Sequence, residues 1–309
     1  LTAILPVFGV ILLGWGLKYT KLVPDVFWAS ADKVTYYITF PALLCVSLAG
    51  ANLSGESWRE MMAIQIGCVV LIVGLTIRFK HQLCTRFGLG NPSFAALIQG
   101  TNRPNTYMGL ALGGALYGPQ GLTLTTLCVG VVVPLVNVFA VIALSHWGEG
   151  KKTGLLAILK GIALNPIILA CAAGSALNIS GVGVPWVIGD FLEILGRAAL
   201  PIGLLAVGAG LVPLSLRQTG VPLIANASLK LLVLPIFAVI GGLLAGLPEA
   251  ALVITATYAA LPCSASAYVM TRNMGGDGPL MASVITLQTI AAALTIPLVV
   301  LSVQALARL

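Results

Sequence analysis

Long apolar runs separated by short polar clusters divide the chain into ten segments, approximately 1–17, 26–49, 61–79, 93–117, 119–145, 154–177, 186–212, 222–246, 249–271 and 279–307. Each is close to the roughly 20 residues a helix needs to cross a hydrocarbon core about 30 Å thick. The pattern predicts an all-α polytopic membrane protein of ten transmembrane helices. One stretch interrupts it: Gln99-Gly100-Thr101-Asn102-Arg103-Pro104-Asn105-Thr106-Tyr107 sets polar residues, an arginine and a proline in the middle of an apolar span. A proline inside a helix removes a backbone hydrogen bond and clashes with the preceding turn, so the fourth span should break here. Unwound backbone at membrane depth survives only where protein buries it or where it lines a watery cavity, and an intramembrane arginine is a functional candidate by default. The stretch reads as half of a binding site.

Composition agrees: the 309 residues are 59% hydrophobic and 8% charged, against roughly 25% charged in soluble domains, and mean hydropathy is +1.04. The net charge of +7 does not point to nucleic acid, because the basic residues sit in short loops. Lys18, Lys21, Lys33, Arg78, Lys80, Arg86, Lys151, Lys152, Lys160, Arg217 and Arg272 fall on one side of the predicted membrane, and Arg59 and Arg308 on the other. The positive-inside rule makes the first side cytoplasmic and puts both termini on the non-cytoplasmic side of a cell (inner) membrane. The first span resembles a signal-peptide core but lacks a basic lead and a small-residue exit, so it is expected to stay as structure. Cys45, Cys68, Cys84, Cys128, Cys171 and Cys263 lie mostly inside spans without paired spacing, which indicates neither a disulfide framework nor a metal site.

The prolines reveal a repeat. Pro6 and Pro166 are 160 positions apart, as are Pro41 and Pro201, while Pro104 and Pro262 are 158 apart. The chain therefore reads as two copies of five spans, residues 1–146 and 154–309, joined by a cytoplasmic linker at 147–153. Because five is odd, the second copy enters the membrane from the opposite face, the inverted arrangement of many secondary transporters. Ser93 to Arg103 covers about 15 Å at about 1.5 Å per residue, half the hydrocarbon core, and Glu249 to Pro262 reaches a similar depth from the other side. Two broken helices should thus cross near the midplane. Their second halves are expected to begin near Pro104 and Pro262, since proline is favoured in a first helical turn. Helix N-termini offer free N–H groups and partial positive charge to an anion. Arg103 adds a full charge in a form suited to a carboxylate.

Phe40-Pro41-Ala42-Leu43-Leu44, Arg103-Pro104-Asn105-Thr106-Tyr107-Met108-Gly109 with Tyr117-Gly118, Leu200-Pro201-Ile202-Gly203-Leu204 and Leu261-Pro262-Cys263-Ser264-Ala265 together resemble the auxin efflux carrier family. Its bacterial members include malonate carriers, and its plant members export auxin. The resemblance covers essentially all ten spans. It implies a scaffold from spans one, two, six and seven and a transport part from spans three to five and eight to ten, which moves past the scaffold as an elevator, often in a homodimer. Matching the crossover motif places Pro104 and Asn105 in the first crossover and Pro262 in the second. The plant carriers do not set an arginine before that proline, which implies a smaller or more highly charged anion here, a mono- or dicarboxylate such as malonate. Related bile-acid carriers couple to sodium through acidic groups near the crossover; this crossover has no acid, so a co-transported proton or simple uniport is preferred over sodium.

The candidate substrate-binding residues are Asn102, Arg103, Pro104, Asn105, Thr106, Pro262, Cys263, Ser264, Asn137 and Gln288, the last two because they fall in the spans after each crossover. Each has a plainer reading: Arg103 as a structural cation on carbonyls freed by the break, the amides and Thr106 as caps on broken backbone, and Cys263 and Ser264 as tight packing. Gln65, Asn165 and Asn226 read as amides joining helices. Glu193 and Arg197 stand four apart on one helical face and read as an interfacial salt bridge, and Lys230 reads as a cation that snorkels to the cytoplasmic interface. No phosphate loop, catalytic triad or metal-ligand cluster stands out, and His81 and His146 lie at the predicted surface, so an intramembrane enzyme, a channel and a receptor are the weaker alternatives. No cofactor is expected. The partners expected are a small organic anion and the lipid bilayer.

Overall fold

The computed structural model describes residues 2–51, 57–150, 154–212 and 220–307. Among them the chain is helical apart from turns and one isolated bridge. In order come α1 (Leu5–Tyr19), α2 (Asp25–Val34), a π-helical turn (Thr35–Thr39), α3 (Phe40–Ala49), α4 (Trp58–Arg78), α5 (Lys80–Phe87), α6 (Asn91–Asn102) and α7 (Thr106–Trp147). They are followed by α8 (Leu155–Ala163), α9 (Pro166–Ile179), α10 (Trp186–Ala209), α11 (Gly220–Ser228), a second π-helical turn (Leu229–Val233) and α12 (Leu234–Leu244). Then come α13 (Glu249–Ala259), α14 (Ser266–Asn273) and α15 (Gly278–Leu306). Among the described residues, five segments are long and apolar enough to cross a membrane: α4, α7, Val187–Ala209 within α10, Gly220–Leu244 and α15. Leu5–Tyr19, Pro166–Ile179 and Glu249–Ala259 are apolar but shorter. Of the basic residues used to orient the chain, Lys151, Lys152, Arg217 and Arg308 lie outside the described residues.

Helix α7 has 42 residues, about 63 Å at 1.5 Å per residue and twice the hydrocarbon core. It is two helices in sequence. Tyr117 leaves helical geometry (φ −133°, ψ 20°) and Gly118 takes the left-handed region (φ 57°, ψ −139°), which costs glycine nothing. The chain reverses there, since the backbones of Gly113 and Gly121 touch and a Cβ on either would strike the other's carbonyl. The boundary between spans four and five expected at residues 117–119 is this turn.

Both π turns stand just ahead of a proline, Pro41 at the start of α3 and Pro235 at the start of α12. A proline ring clashes with the carbonyl four residues back and donates nothing to it, and one extra residue in the preceding turn relieves both problems. Pro201, the repeat partner of Pro41, sits inside a continuous α10. The same proline is thus accommodated differently in the two copies.

The chain forms two compact units. The first comprises Leu1–Trp58, Thr106–Gly130 and Gly161–Gly210. Its most extensive pairings are α1 on α10 and α3 on α9, and both depend on glycine. A Cβ on Gly14 would enter the carbonyl of Leu205, and one on Gly174 would enter the carbonyl of Cys45. Gly174 lies 160 positions after Gly14, and Leu205 lies 160 after Cys45. The two contacts are the same contact, made once by each copy of the repeat on the other. Further along α10, a Cβ on Gly208 would meet the carbonyl of Ile11. On α10, Arg197 Nη2 donates to Glu193 Oε1 at 2.7 Å, with both side chains exposed, as their spacing implies.

The second unit comprises Arg59–Asn105, Val131–Lys160 and Leu211–Leu309. Its centre is formed by the short helices α6 and α13, about 18 Å and 17 Å long by helical rise, buried without interruption from Phe94 to Asn102 and from Ala251 to Ala259. A helix buried all round needs no polar face. Helix α15 packs along both. At one end Asp277 caps α15 by accepting from Leu280 N (3.0 Å) and also accepts from Ser93 Oγ in the first turn of α6 (2.7 Å). Gln65 Nε2 donates to Thr255 O (2.9 Å), the expected amide link between helices. Asn165 instead caps α9, accepting from Ile167 N and Ile168 N.

Gly14→Ala and Gly174→Ala are each expected to destabilise the protein by about 1–3 kcal/mol, because backbone cannot move away as a side chain can. Gly9→Ala, in the same helix as Gly14 with nothing within 4 Å of its Cβ position, should be neutral or stabilising. Thermal unfolding in detergent distinguishes these outcomes.

Candidate functional site

Helix α6 ends at Asn102 because Pro104 follows two residues later. The residue before a proline is driven to extended backbone, and Arg103 sits there (φ −86°, ψ 105°). Pro104 then pairs with Cys263 in an isolated antiparallel bridge. Asn105 N donates to Pro262 O (2.8 Å) and Ser264 N donates to Arg103 O (3.2 Å). Each break supplies backbone partners to the other. Helices resume at Thr106 and Ser266, close after the two prolines as expected.

A broken helix leaves unpaired backbone groups, and at Pro104 the group can be named. In an unbroken helix the N–H of residue 104 would donate to the carbonyl of Gly100; proline has none. Gln288 on α15 supplies the donor, with Nε2 at 2.9 Å from Gly100 O. Its other Nε2 hydrogen bond goes to Asn226 Oδ1 (2.9 Å), and its Oε1 accepts from Cys263 N in the second break (2.8 Å). Asn226 Nδ2 in turn donates to Leu97 O (2.8 Å). Residue 100 must be glycine for this network to form, since a Cβ would lie 2.7 Å from Asn226 Oδ1 and 2.7 Å from Val284 Cγ1. Gln288, a candidate from its position in the chain, is brought to both breaks and spends its amide on their backbone. Asn226 was legible only as one more amide in an apolar span, and no sequence signal ties it to the break.

Arg103 is half-buried, and its Nη1 donates to Met270 Sδ on α14 at 3.3 Å. Ser264 is also half-buried, with Oγ 3.0 Å from Ser266 Oγ. Pro104, Asn105, Pro262 and Cys263 are buried, and Cys263 Sγ lies 3.8 Å from Gln99 O. Asn102 is 1% exposed, and both its amide atoms lack a hydrogen-bond partner; Gln99 Oε1 is in the same condition, while Gln99 Nε2 donates to Thr271 Oγ1 (2.6 Å). Buried amides are nearly always satisfied, so Asn102 and Gln99 mark unspent polar capacity beside Arg103. Asn137 lies on the second limb of α7 with a buried, unpartnered Oδ1, and no hydrogen bond joins it to the crossover residues. Thr106 opens α7 and belongs to the first unit.

Lys230 departs from the snorkelling expectation. It is 2% exposed, in the π turn ahead of Pro235, and its electrostatic neighbours are the thiols of Cys68 and Cys263. Among the described residues no carboxylate pairs with it. Depth along the span, on which that expectation rests, does not say which side of the helix a residue faces.

In the first unit the ring of Tyr107, four residues after Arg103 in sequence, meets Phe40 edge-on (centroids 4.7 Å, 74°) and leaves no room for a Cβ on Gly203. The Phe40-Pro41 and Pro201-Ile202-Gly203 motifs converge on that ring.

Residues 1–300 match the model of a family described as membrane transport proteins. The chain belongs to this family, that of the auxin efflux carriers. An uncharacterized transporter of Methanothermobacter thermautotrophicus is similar to it, at 23% identity over 297 residues, covering 96% of this chain and 95% of the relative. With the apolar helices, membership makes the protein a multi-pass membrane transporter.

Gln288→Leu should orphan Gly100 O and Cys263 N together, at about 1–3 kcal/mol for each buried group left unsatisfied. Gln288→Glu retains the acceptor and loses the donor, so an intermediate loss is expected. Melting temperatures of the two variants in detergent check the order.

Proposed function

We propose that this transporter carries a small organic anion, a mono- or dicarboxylate such as malonate, bound at the paired chain breaks of spans four and nine. The observation that carries the reading is Arg103: a half-buried guanidinium fixed by a backbone bridge beside the start of α14. A guanidinium presents two parallel donors to a carboxylate, and a helix start adds partial positive charge. Ser264 and Ser266 hydroxyls stand at the same helix start, and Asn102 adds an uncommitted amide next to Arg103 in sequence. No acid occurs in either break, which favours an anionic cargo moving alone or with a proton over sodium coupling.

Movement follows the elevator pattern in this proposal, with ten spans in two inverted sets of five and the repeats at 1–146 and 154–309. The reciprocal glycine contacts related by 160 positions support the inverted repeat. The grouping of α1–α3, α9 and α10 in one unit and of α4, α6 and α11–α15 in another supports a scaffold and a transport part. The first limb of α7, the second half of span four, clusters with the former group, so the dividing line in this proposal falls at the crossover itself. Both termini face the non-cytoplasmic side, and a homodimer is the working assembly.

Uptake of labelled malonate and acetate into proteoliposomes tests the reading. Arg103→Ala removes a charge-assisted pair worth about 1.5–3 kcal/mol, so transport affinity should fall about 10–100-fold. Arg103→Lys should recover part of it. Absence of saturable flux for any carboxylate, or an Arg103→Ala protein that matches wild type, would sink it.

A further inference from the structure

The contact between Arg103 and Met270 is chemically unequal. A guanidinium is among the strongest side-chain donors, and a thioether sulfur among the weakest acceptors. Yet Nη1 stands 3.3 Å from Met270 Sδ in a part-buried setting. Met270 is half-buried on α14, four residues after Ser266 and therefore one turn along the same face. The main chain at this point is fixed, because Ser264 N holds Arg103 O and Asn105 N holds Pro262 O. Arg103 is thus anchored by its backbone, while one of its donors rests on a flexible, polarizable side chain that can move aside at little cost.

We propose that Met270 sets the ligand specificity of the site by holding Nη1 of Arg103 with a weak acceptor that a carboxylate oxygen displaces. The role rests on the reading of Arg103 as the anion-binding residue. An oxyanion outcompetes a thioether for the guanidinium by a wider margin than a neutral carbonyl or hydroxyl does, so the exchange favours carboxylates.

The test uses the full-length protein purified in detergent, with malonate as the probe in a thermal-shift titration, since a ligand of the folded state raises its apparent stability. Met270→Leu keeps the volume and loses the acceptor; its half-saturating malonate concentration should change, falling about three-fold as competition is removed. Met270→Glu installs a permanent carboxylate; the malonate shift should vanish, and the variant should melt above the Arg103→Ala/Met270→Glu double variant by more than wild type melts above Arg103→Ala, a coupling that a double-mutant cycle isolates. If Met270→Leu titrates like wild type and the cycle shows no coupling, the place-holding role is overturned, and a malonate shift retained throughout would leave the transport reading intact. If wild type shows no malonate shift, the malonate reading and the role of Met270 fall together.

Discussion

One missing backbone donor organises the second unit. Pro104 cannot donate to the Gly100 carbonyl, and at the depth of an apolar core no water replaces it. The group that does replace it, Gln288 Nε2, lies on a helix 188 positions away in sequence. Because that amide also binds Asn226 Oδ1 and Cys263 N, the position of α15 is tied to both breaks and to α11. Gly100 must lack a side chain so that Asn226 and Val284 can come close enough. The bridge between Pro104 and Cys263 then satisfies backbone groups that neither break could satisfy alone. Loosening any of these contacts leaves buried polar groups unpaired, each costing about 1–3 kcal/mol.

Against this tightly satisfied backbone, the side chains beside it are left unevenly served. Arg103 is half-buried with one donor on a sulfur, and Asn102 and Gln99 hold unpartnered amide atoms. Lys230 is sealed among thiols in the same unit without a carboxylate among the described residues. The weak acceptor at Nη1 of Arg103 and the unpartnered amide of Asn102 stand out against a backbone whose breaks are closed by named partners.

Much of this was legible along the chain. The interrupted span at residues 99–107, the proline spacing, the reversal near 117–119 and the Glu193–Arg197 pair all depend on local chemistry or on the repetition of local chemistry, and the residues state them directly. Glycine contacts such as Gly14 with Leu205 were hidden, because a helix glycine looks the same in sequence whether it faces open space, as Gly9 does, or a neighbouring backbone. The two π turns were hidden for a different reason. Pro41 and Pro201 are equivalent in the repeat, and only their surroundings decide whether the preceding turn widens.

The sequence by itself determined the class of the protein, the place where a span must break, and the charge of the residue at that break, since apolar length, a lost donor and a guanidinium are properties of the residues alone. Tertiary structure decided who answers the break. Gln288 and Asn226 were two polar residues among several in apolar spans until folding placed one amide between Gly100 O and Cys263 N. Lys230 was a cation within reach of the interface until packing buried it. Hydrogen bonding of this kind requires partners within about 3 Å and aligned, and that condition is met or missed only when helices far apart in the chain have packed.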